Sequence, residues 1–377
     1  MDLFFGIVAF LWVVLAFPPI VYYLWMAKRK GDYGLKIDFN YQPKVTLIVA
    51  TYNEASVIVN KLENIQELDY PDSKLQVIVV DSASNDGTID LCKKFLAKNN
   101  PRFPVELISE KERLGKSHAL NVALKHANGD IIATSDADSF WNKDALHVGV
   151  SFFADPLVGA ITGRESISNL GKNVLTMSEG IYKVFFNTLR QGESSIHSTW
   201  MIQGELALYR RSAFKEFEDK PGYSDDHGTA LDIISIGYRC VFVPEAVFFD
   251  TAATSIRGRL IWKSRRAEHL MTGVIKSLKL KAANKLPIPW RVLLFNFYFY
   301  ILSPLIFFVS LVATSILYVI NFQSLWFLAF FLIPLFIKKS RAFVISYFTS
   351  NLALIIGLFP IVTKKRTSTW RKVDEMR

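Results

Sequence analysis

The sequence predicts an α/β protein, a doubly wound and mostly parallel sheet flanked by transmembrane helices. Three observations predict it. Between residues 43 and 253, short apolar runs rich in β-branched residues alternate with stretches of helical periodicity. Residues 3–26 and 292–337 carry no charged side chain, and such lengths suit helices that cross a bilayer. The chain of 377 residues is 51% hydrophobic and 14% aromatic, and that excess lies at its two ends.

Residues 1–27 read as an N-terminal transmembrane anchor. Pro18-Pro19 predicts a kink or fraying near its inner end. Lys28-Arg29-Lys30 follows the span, and basic residues beside a span mark the cytoplasmic side. A signal peptide carries its positive charge before the apolar run, so this anchor reads as uncleaved. The expectation is a multi-pass protein of the cell membrane with a cytoplasmic catalytic domain. Cys92 and Cys240 lack metal-site spacing, which fits a reduced compartment and no disulfide framework.

In the domain spanning residues 43–253, residues 45–50 and 75–80 predict buried parallel strands. Between them Val57, Leu62, Ile65 and Leu68 predict a helix over 54–68. Residues 105–108, 131–134, 159–162 and 240–243 predict further strands. Leu120, Ala123, Leu124 and Ala127 predict an amphipathic helix over 116–127. Such a sheet binds its ligands at the carboxyl ends of the strands. Asp81 stands at one of these ends, placed to accept hydrogen bonds from a nucleobase or ribose. Asp86, in the polar turn that follows, reads as a turn or cap residue. Ser135-Asp136-Ala137-Asp138 stands at another. In an extended segment two carboxylates at that spacing project to one side. Hard oxygen donors there suit Mg²⁺ or Mn²⁺ carrying a diphosphate. A lone Asp-x-Asp is also common in solvated loops, so its neighbours decide.

Residues 254–291 predict basic interfacial helices. Arg257, Arg259, Lys263, Arg265 and Arg266 form either a basic face on lipid headgroups or, through Arg265 and Arg266, a diphosphate clamp. Residues 276–291 set leucines among lysines, as an interfacial segment does. Residues 292–363 read as two or three membrane segments, with a turn near Asn321-Phe322-Gln323. Ser346, Ser350, Asn351, Gly357 and Pro360 predict that 342–363 bends back as a re-entrant hairpin, leaving the basic tail 364–377 in the cytoplasm. The net charge of +10 comes largely from these flanking clusters and fits a membrane surface, not a nucleic-acid partner.

Thr51-Tyr52-Asn53-Glu54, Asp81, Gly115-Lys116 with Leu120-Asn121, Asp136-Ala137-Asp138, residues 204–211 and Ser224-Asp225-Asp226 occur in that order. With them the chain resembles the family 2 glycosyltransferases over about residues 43–269. Its membrane segments are similar to those of the hyaluronan, chitin and cellulose synthase group. The resemblance implies the GT-A nucleotide-sugar fold, inverting transfer, a UDP- or GDP-linked donor and Mg²⁺ or Mn²⁺. It implies that Asp81 binds the base, that Tyr52 and Glu54 line the nucleotide pocket, and that Lys116 joins the donor site. Asp138 with Asp136 beside it would hold metal and diphosphate, and Asp226 would be the general base. Asp225 reads as an ordinary surface residue, and His227, a single imidazole without a spaced partner, as neither ligand nor acceptor contact.

Polymerising members carry Gln-x-x-Arg-Trp just after this point. Aligning on residues 254–258 puts Trp262 at the Gln, Arg265 at the Arg and Arg266 at the Trp. A diphosphate clamp of Arg265 and Arg266 is retained while the aromatic platform is displaced. The reading is therefore transfer of one sugar to a membrane-associated, lipid-linked acceptor. A processive polysaccharide synthase is the alternative, and an inactive nucleotide-sugar-binding membrane protein the reading from another class. A dinucleotide oxidoreductase is disfavoured, because no Gly-x-Gly-x-x-Gly follows the first strand.

Overall fold

The computed structural model describes residues 2–320 and 336–363. Its strands are β1 (Val45–Thr51), β2 (Leu75–Asp81), β3 (Val105–Ser109), β4 (Ile131–Asp136), β5 (Phe140–Trp141), β6 (Val158–Ile167), β7 (Ala207–Arg210) and β8 (Arg239–Asp250). They form one sheet in the order β3-β2-β1-β4-β7-β6-β8-β5. The run β3-β2-β1-β4 is parallel throughout, whereas β7 lies antiparallel between β4 and β6. Register sets Thr51 beside Asp81, and Ala50 between Val80 and Asp136. The carboxyl ends of three strands thus share one edge.

Alternate residues of the central strands serve two cores. Leu47, Val49, Val77 and Val79 pack under α2 (Ile58–Gln66) and α3 (Thr88–Lys98). Ile48, Ile78 and Val80 face the opposite way, towards α4 (Lys116–Leu124) and the later helices of the domain. Burial on both faces explains why these strands read as continuous apolar runs. The helix expected from residue 54 begins only at Ile58. Asn53 takes a positive φ of 54°, and its N–H and that of Glu54 donate to Ser84 Oγ and Thr88 Oγ1. Those residues close a turn between strand ends instead of starting a helix.

After α5 (Ala145–Ser151) comes α6 (Val174–Ile196), a helix with no expectation from sequence. Asn173 caps it, accepting from Leu175 N and Thr176 N while Thr176 Oγ1 accepts from Asn173 N. α7 (Asp225–Ser235) precedes β8, and α8 (Ile256–Ala282) follows it. α8 is one helix, and Arg259, Lys263 and Lys276 on it turn inward. Lys276 donates to Glu218, Asp232 and the Gly228 carbonyl, and Leu286 and Ile288 beyond it are buried. The interfacial segment expected at 276–291 therefore packs on the domain itself.

Three helices among the described residues are long and apolar enough to cross a membrane: Leu3–Arg29, Trp290–Ile320 and Lys338–Thr363. The first belongs to α1 (Asp2–Arg29), which runs through Pro18-Pro19 without the expected fraying. The prolines leave the carbonyls of Val14 and Leu15 without their helical donors. Tyr298 Oη lies 2.7 Å from the first and 3.0 Å from the second, and shares its one hydroxyl proton between them. α9 (Trp290–Phe297), a π-helical turn at Tyr298–Leu302, and α10 (Ser303–Ile320) make the second rod.

The third, α11 (Lys338–Thr363), is a single helix and not the expected hairpin. Its polar residues are packing contacts. Asn351 accepts from Ser303 Oγ, Thr349 accepts from Arg259 Nε, and Gly357 lies where a Cβ would meet Ala267 at 2.6 Å. The turn expected near residues 321–323 and the tail 364–377 lie outside the described residues.

Candidate active site

Asp81 ends β2 and is almost wholly buried. Its carboxylate accepts from Thr51 Oγ1 (3.0 Å), Ser84 N (3.0 Å) and Ser84 Oγ (2.5 Å), which fixes it against the turn after β2. Asp86 serves that turn, accepting from Thr88 N and Ala55 N. Nearby, the Arg113 guanidinium stacks 3.8 Å from the Tyr52 ring centre. Glu54, Tyr52 and Arg113 line one end of a cavity of about 760 Å³; Asp81 is not in that lining.

Asp136 is the last residue of β4, and Asp138 lies beyond it in a turn. The strand alternation that the sequence suggested therefore does not extend to Asp138, but both residues line the cavity. Under the turn the buried Lys61 donates to Ser135 Oγ (2.7 Å) and the Ser139 carbonyl (2.6 Å). Burial lowers its ammonium to about 7, against the pull of Asp136 and Asp138. Lys116, at the start of α4, sits 2.5 Å from Asp136 and 3.9 Å from Asp225. Burial disfavours its charge, but Asp136 and Asp225 outweigh burial and keep it protonated.

Asp225 and Asp226 open α7 behind the N-cap Ser224. Asp225 is no surface residue: 14% of its side chain is exposed, against 18% for Asp226, and both line the cavity. Asp226 Oδ1 accepts from Ser224 Oγ and from His227 N (2.6 Å), and Oδ2 from Gly204 N (3.2 Å). Gly204 leaves room for that approach: a Cβ there would lie 3.1 Å from Lys116 Nζ and 3.6 Å from Asp226 Oδ2. Burial pushes both carboxyls up to about 6 in spite of Lys116. His227 is held neutral, lowered to about 3 by burial and then by Arg190 and Arg266. It lines the cavity, with its ring edge-on to Trp200.

α8 supplies the opposite wall. Arg266 pairs with Glu205 and lies 4.2 Å from the Trp262 ring centre; Arg265 lines the cavity beside it. Burial works against the Glu205 carboxylate, but Arg266, Lys116 and Lys183 hold its carboxyl down to about 2. Arg259 and Lys263 do not face lipid. They lie 3.0 and 3.1 Å from Glu179 Oε2, and of the five basic residues read as a possible lipid-facing surface only Arg257 is exposed.

Sequence reasoning missed Asp250, Glu205, Lys183, Arg190, His269 and Arg113, all of which line the cavity. Asp250 ends β8 and was within reach of the strand-end rule that found Asp81 and Asp136. Arg190 stands alone in a helix and gave no signal. The far end of the cavity is apolar and belongs to the three long apolar helices, with Trp12, Pro19, Tyr23, Phe299, Phe343 and Tyr347 in its lining.

Among the described residues no three or more His, Cys, Asp or Glu side chains form a metal cage. Asp136 and Asp138 at one turn suit instead a hard cation that completes its shell with water and substrate phosphate. Burial, then Glu165, Asp138 and Glu205, push the Asp250 carboxyl well up.

Residues 46–217 match the family profile described as Glycosyl transferase family 2. The solved structure of the mannosyltransferase PcManGT from Pyrobaculum calidifontis, in complex with GDP-Man and Mn²⁺, is similar over 96% of this chain and 99% of its own, at 32% identity and a TM-score of 0.82. The probable glycosyltransferase YdaM of Bacillus subtilis is 26% identical over 313 residues, 77% of this chain and 72% of that protein. The poly-beta-1,6-N-acetyl-D-glucosamine synthase of Staphylococcus aureus is 26% identical over 250 residues, 65% of this chain and 59% of the synthase.

Proposed function

The chain belongs to glycosyl transferase family 2, and from that premise we propose that it moves one sugar from a nucleotide-linked donor to a lipid-borne acceptor at the cytoplasmic membrane surface. One observation carries the reading. A single cavity joins the carboxylates at the strand ends to apolar residues of α1, of the π-helical turn at Tyr298–Leu302 and of α11. A soluble acceptor needs no such passage, whereas a lipid tail does.

The donor's nucleotide would lie toward Tyr52, Glu54 and Asp81, with its diphosphate between Lys116, Arg265 and Arg266. The similarity to a mannosyltransferase bound to GDP-Man makes a GDP-linked sugar the first donor to test, with UDP-linked sugars next. Mg²⁺ or Mn²⁺ would be held by Asp138 and Asp136, offsetting charge on the diphosphate. Asp226 takes the proton of the acceptor hydroxyl as that oxygen bonds to the anomeric carbon. The bond from that carbon to the diphosphate breaks on the opposite face, and its electron pair leaves with the nucleoside diphosphate. The Gly204, Ser224 and His227 donors hold the Asp226 carboxylate in one orientation, and burial keeps it basic enough to accept.

Gly357 of α11 lies against Ala267 and Ser264 of α8, so the Thr363 end of this helix runs toward the catalytic domain. That supports a chain with both its domain and the end of α11 on the cytoplasmic side, reached by a full crossing. Cysteine labelling at position 363 of intact cells tests it; labelling from outside overturns it.

The functional test is a donor screen on the purified protein in lipid extract, reading nucleoside diphosphate release and label transfer to the organic phase. The expected result is metal-dependent transfer of one label per lipid. Undiminished transfer in excess chelator overturns the metal assignment. A ladder of products would favour the polymerising alternative, with Trp262 under Arg266 as its aromatic support.

A further inference from the structure

Around the cavity, five buried or half-buried cations are matched to carboxylates within the chain, while Lys61, under the turn of Asp136 and Asp138, is answered by oxygens of Ser135 and Ser139. Lys116 pairs with Asp136, Lys183 with Glu165, Arg259 and Lys263 with Glu179, and Arg266 with Glu205. Arg190 breaks the pattern. It lies on α6, is 9% exposed and lines the cavity. Its Nη1 donates to two amide oxygens, Gln203 Oε1 at 2.8 Å and Asn187 Oδ1 at 3.3 Å, and its Nε has no hydrogen-bond partner. Among the described residues no carboxylate pairs with it. Glu193, one turn along α6, feels its charge, but that carboxylate is engaged by Tyr22 and Thr199 and burial pushes its carboxyl up. A buried guanidinium so weakly answered is unfavourable, and a ligand that supplies an anion would stabilise it.

Its surroundings say which kind of ligand. Gln203 also donates to Glu165 (2.8 Å), which orients its amide with the oxygen toward Arg190. The next residue, Gly204, donates to Asp226, so an anion at Arg190 lies beside the loop that holds the proposed base. On the other side, one turn earlier on α6, Phe185 stacks on Tyr23 of α1 at 5.3 Å, and Phe186 packs on Tyr300 at 6.3 Å. The cavity thus has a planar five-donor cation between a polar reaction site and an aromatic groove formed with the long apolar helices.

We infer that Arg190 binds a phosphate group carried by the lipid acceptor, whose apolar chain lies in the groove lined by α1 and α11. The inference deepens the lipid-acceptor reading and rests on it. A guanidinium fork matches phosphate oxygens, and a fully apolar or neutral glycolipid would leave the charge unanswered. The occupant is therefore an amphiphile with an anionic phosphate or diphosphate head, not a neutral one.

The test measures binding to the full-length protein in detergent, by native mass spectrometry, of a long-chain isoprenyl monophosphate and of the matching isoprenol. Affinity for the nucleotide sugar, read by calorimetry, checks folding. The wild-type chain should prefer the phosphate lipid by at least about tenfold, the scale of one charge-assisted contact. Arg190→Gln should remove that preference, and Arg190→Lys should keep part of it. Inorganic phosphate at the same concentration should not compete, which separates a lipid-borne phosphate from a free one. Equal wild-type binding of the two lipids, an undiminished preference in Arg190→Gln, or full competition by inorganic phosphate would each overturn the inference. Should Arg190→Gln lose nucleotide binding as well, the wild-type comparison and Arg190→Lys decide. Transfer of sugar to the isoprenol as readily as to its phosphate defeats this inference while sparing the lipid-acceptor reading. Preferential binding of the phosphate lipid without transfer does the reverse.

Discussion

Behind the cavity wall that carries Lys183 and Lys263, Glu179 lies between Arg259 and Lys263, and its carboxyl is held down at about 2 against the effect of burial. On the opposite wall Asp225 and Asp226 are enclosed by the same cavity and pushed up to about 6. Both walls bury carboxylates, but they differ in who supplies the counter-charge. Glu179 is answered within the chain by two cations. Asp225 and Asp226 share one lysine, which Asp136 holds more closely. Charges neutralised inside the chain fasten helices together. Those left in deficit await substrate.

The sharpest way to break the comparison is Asp226→Asn. Losing the base should lower turnover by about 10²–10⁴-fold with nucleotide affinity unchanged. The folded chain should be no less stable. A raised folded-state pKa means the folded chain holds its proton to higher pH than the unfolded one. The charge therefore costs stability as pH rises toward about 6, and that cost is complete above it. Asparagine removes it. Unchanged turnover would move the base elsewhere on this wall.

Glu179→Gln addresses the other wall and should act on stability. It leaves Arg259 and Lys263 buried without their carboxylate, a change of about 3–5 kcal/mol. Thermal unfolding in detergent reads it. A variant as stable as the wild type would show that these charges are not the fastening between α6, α8 and α11. A smaller effect appears in pH. Turnover should fall as pH drops through about 6, approaching about tenfold per unit, because the protonated Asp226 cannot accept the acceptor's proton. Glu179 stays ionised over that range, so stability should not fall in parallel. Loss of fold and activity together near pH 6 would erase the distinction between the walls.

The carboxylate wall was largely legible in the sequence and the cation wall was not, for a physical reason. Asp81 and Asp136 each close a β-branched run, so the strand that positions them is visible in the same few residues. α6 carries an apolar stripe through Met177, Ile181, Phe185 and Leu189, yet it also buries Thr176, Glu179, Lys183, Arg190 and Glu193, so its period does not show which polar residues turn inward. The basic stretch of α8 looked like a lipid-facing surface because its carboxylate partner lies in that unseen helix. The polar residues of α11 looked like breaking points because their partners, Ser303 and Arg259, are remote in sequence. Asp225 looked ordinary because nothing local reveals that Gly204 and Lys116 close over it. Pairings between distant elements are what the sequence withholds.

Asp225→Asn carries the smallest expected effect and separates the two neighbours on α7. Asp226 is oriented by three donors, whereas Asp225 meets Lys116 at 3.9 Å. A base that must meet one hydroxyl needs a fixed orientation, and a carboxylate that only shapes the potential does not. Lys116 keeps its closer partner Asp136 in the variant, so the donor end should hold. Turnover should therefore fall by less than about tenfold, against at least about a hundredfold for Asp226→Asn. Asp226 raises the Asp225 carboxyl, and such coupling is mutual. Removing the neighbouring charge should thus move the acid limb of the pH profile downward, by less than about one unit. Turnover and pH titration of the two variants side by side provide the check. A loss in Asp225→Asn as deep as that in Asp226→Asn, with no shift of the acid limb, would make the pair a shared base.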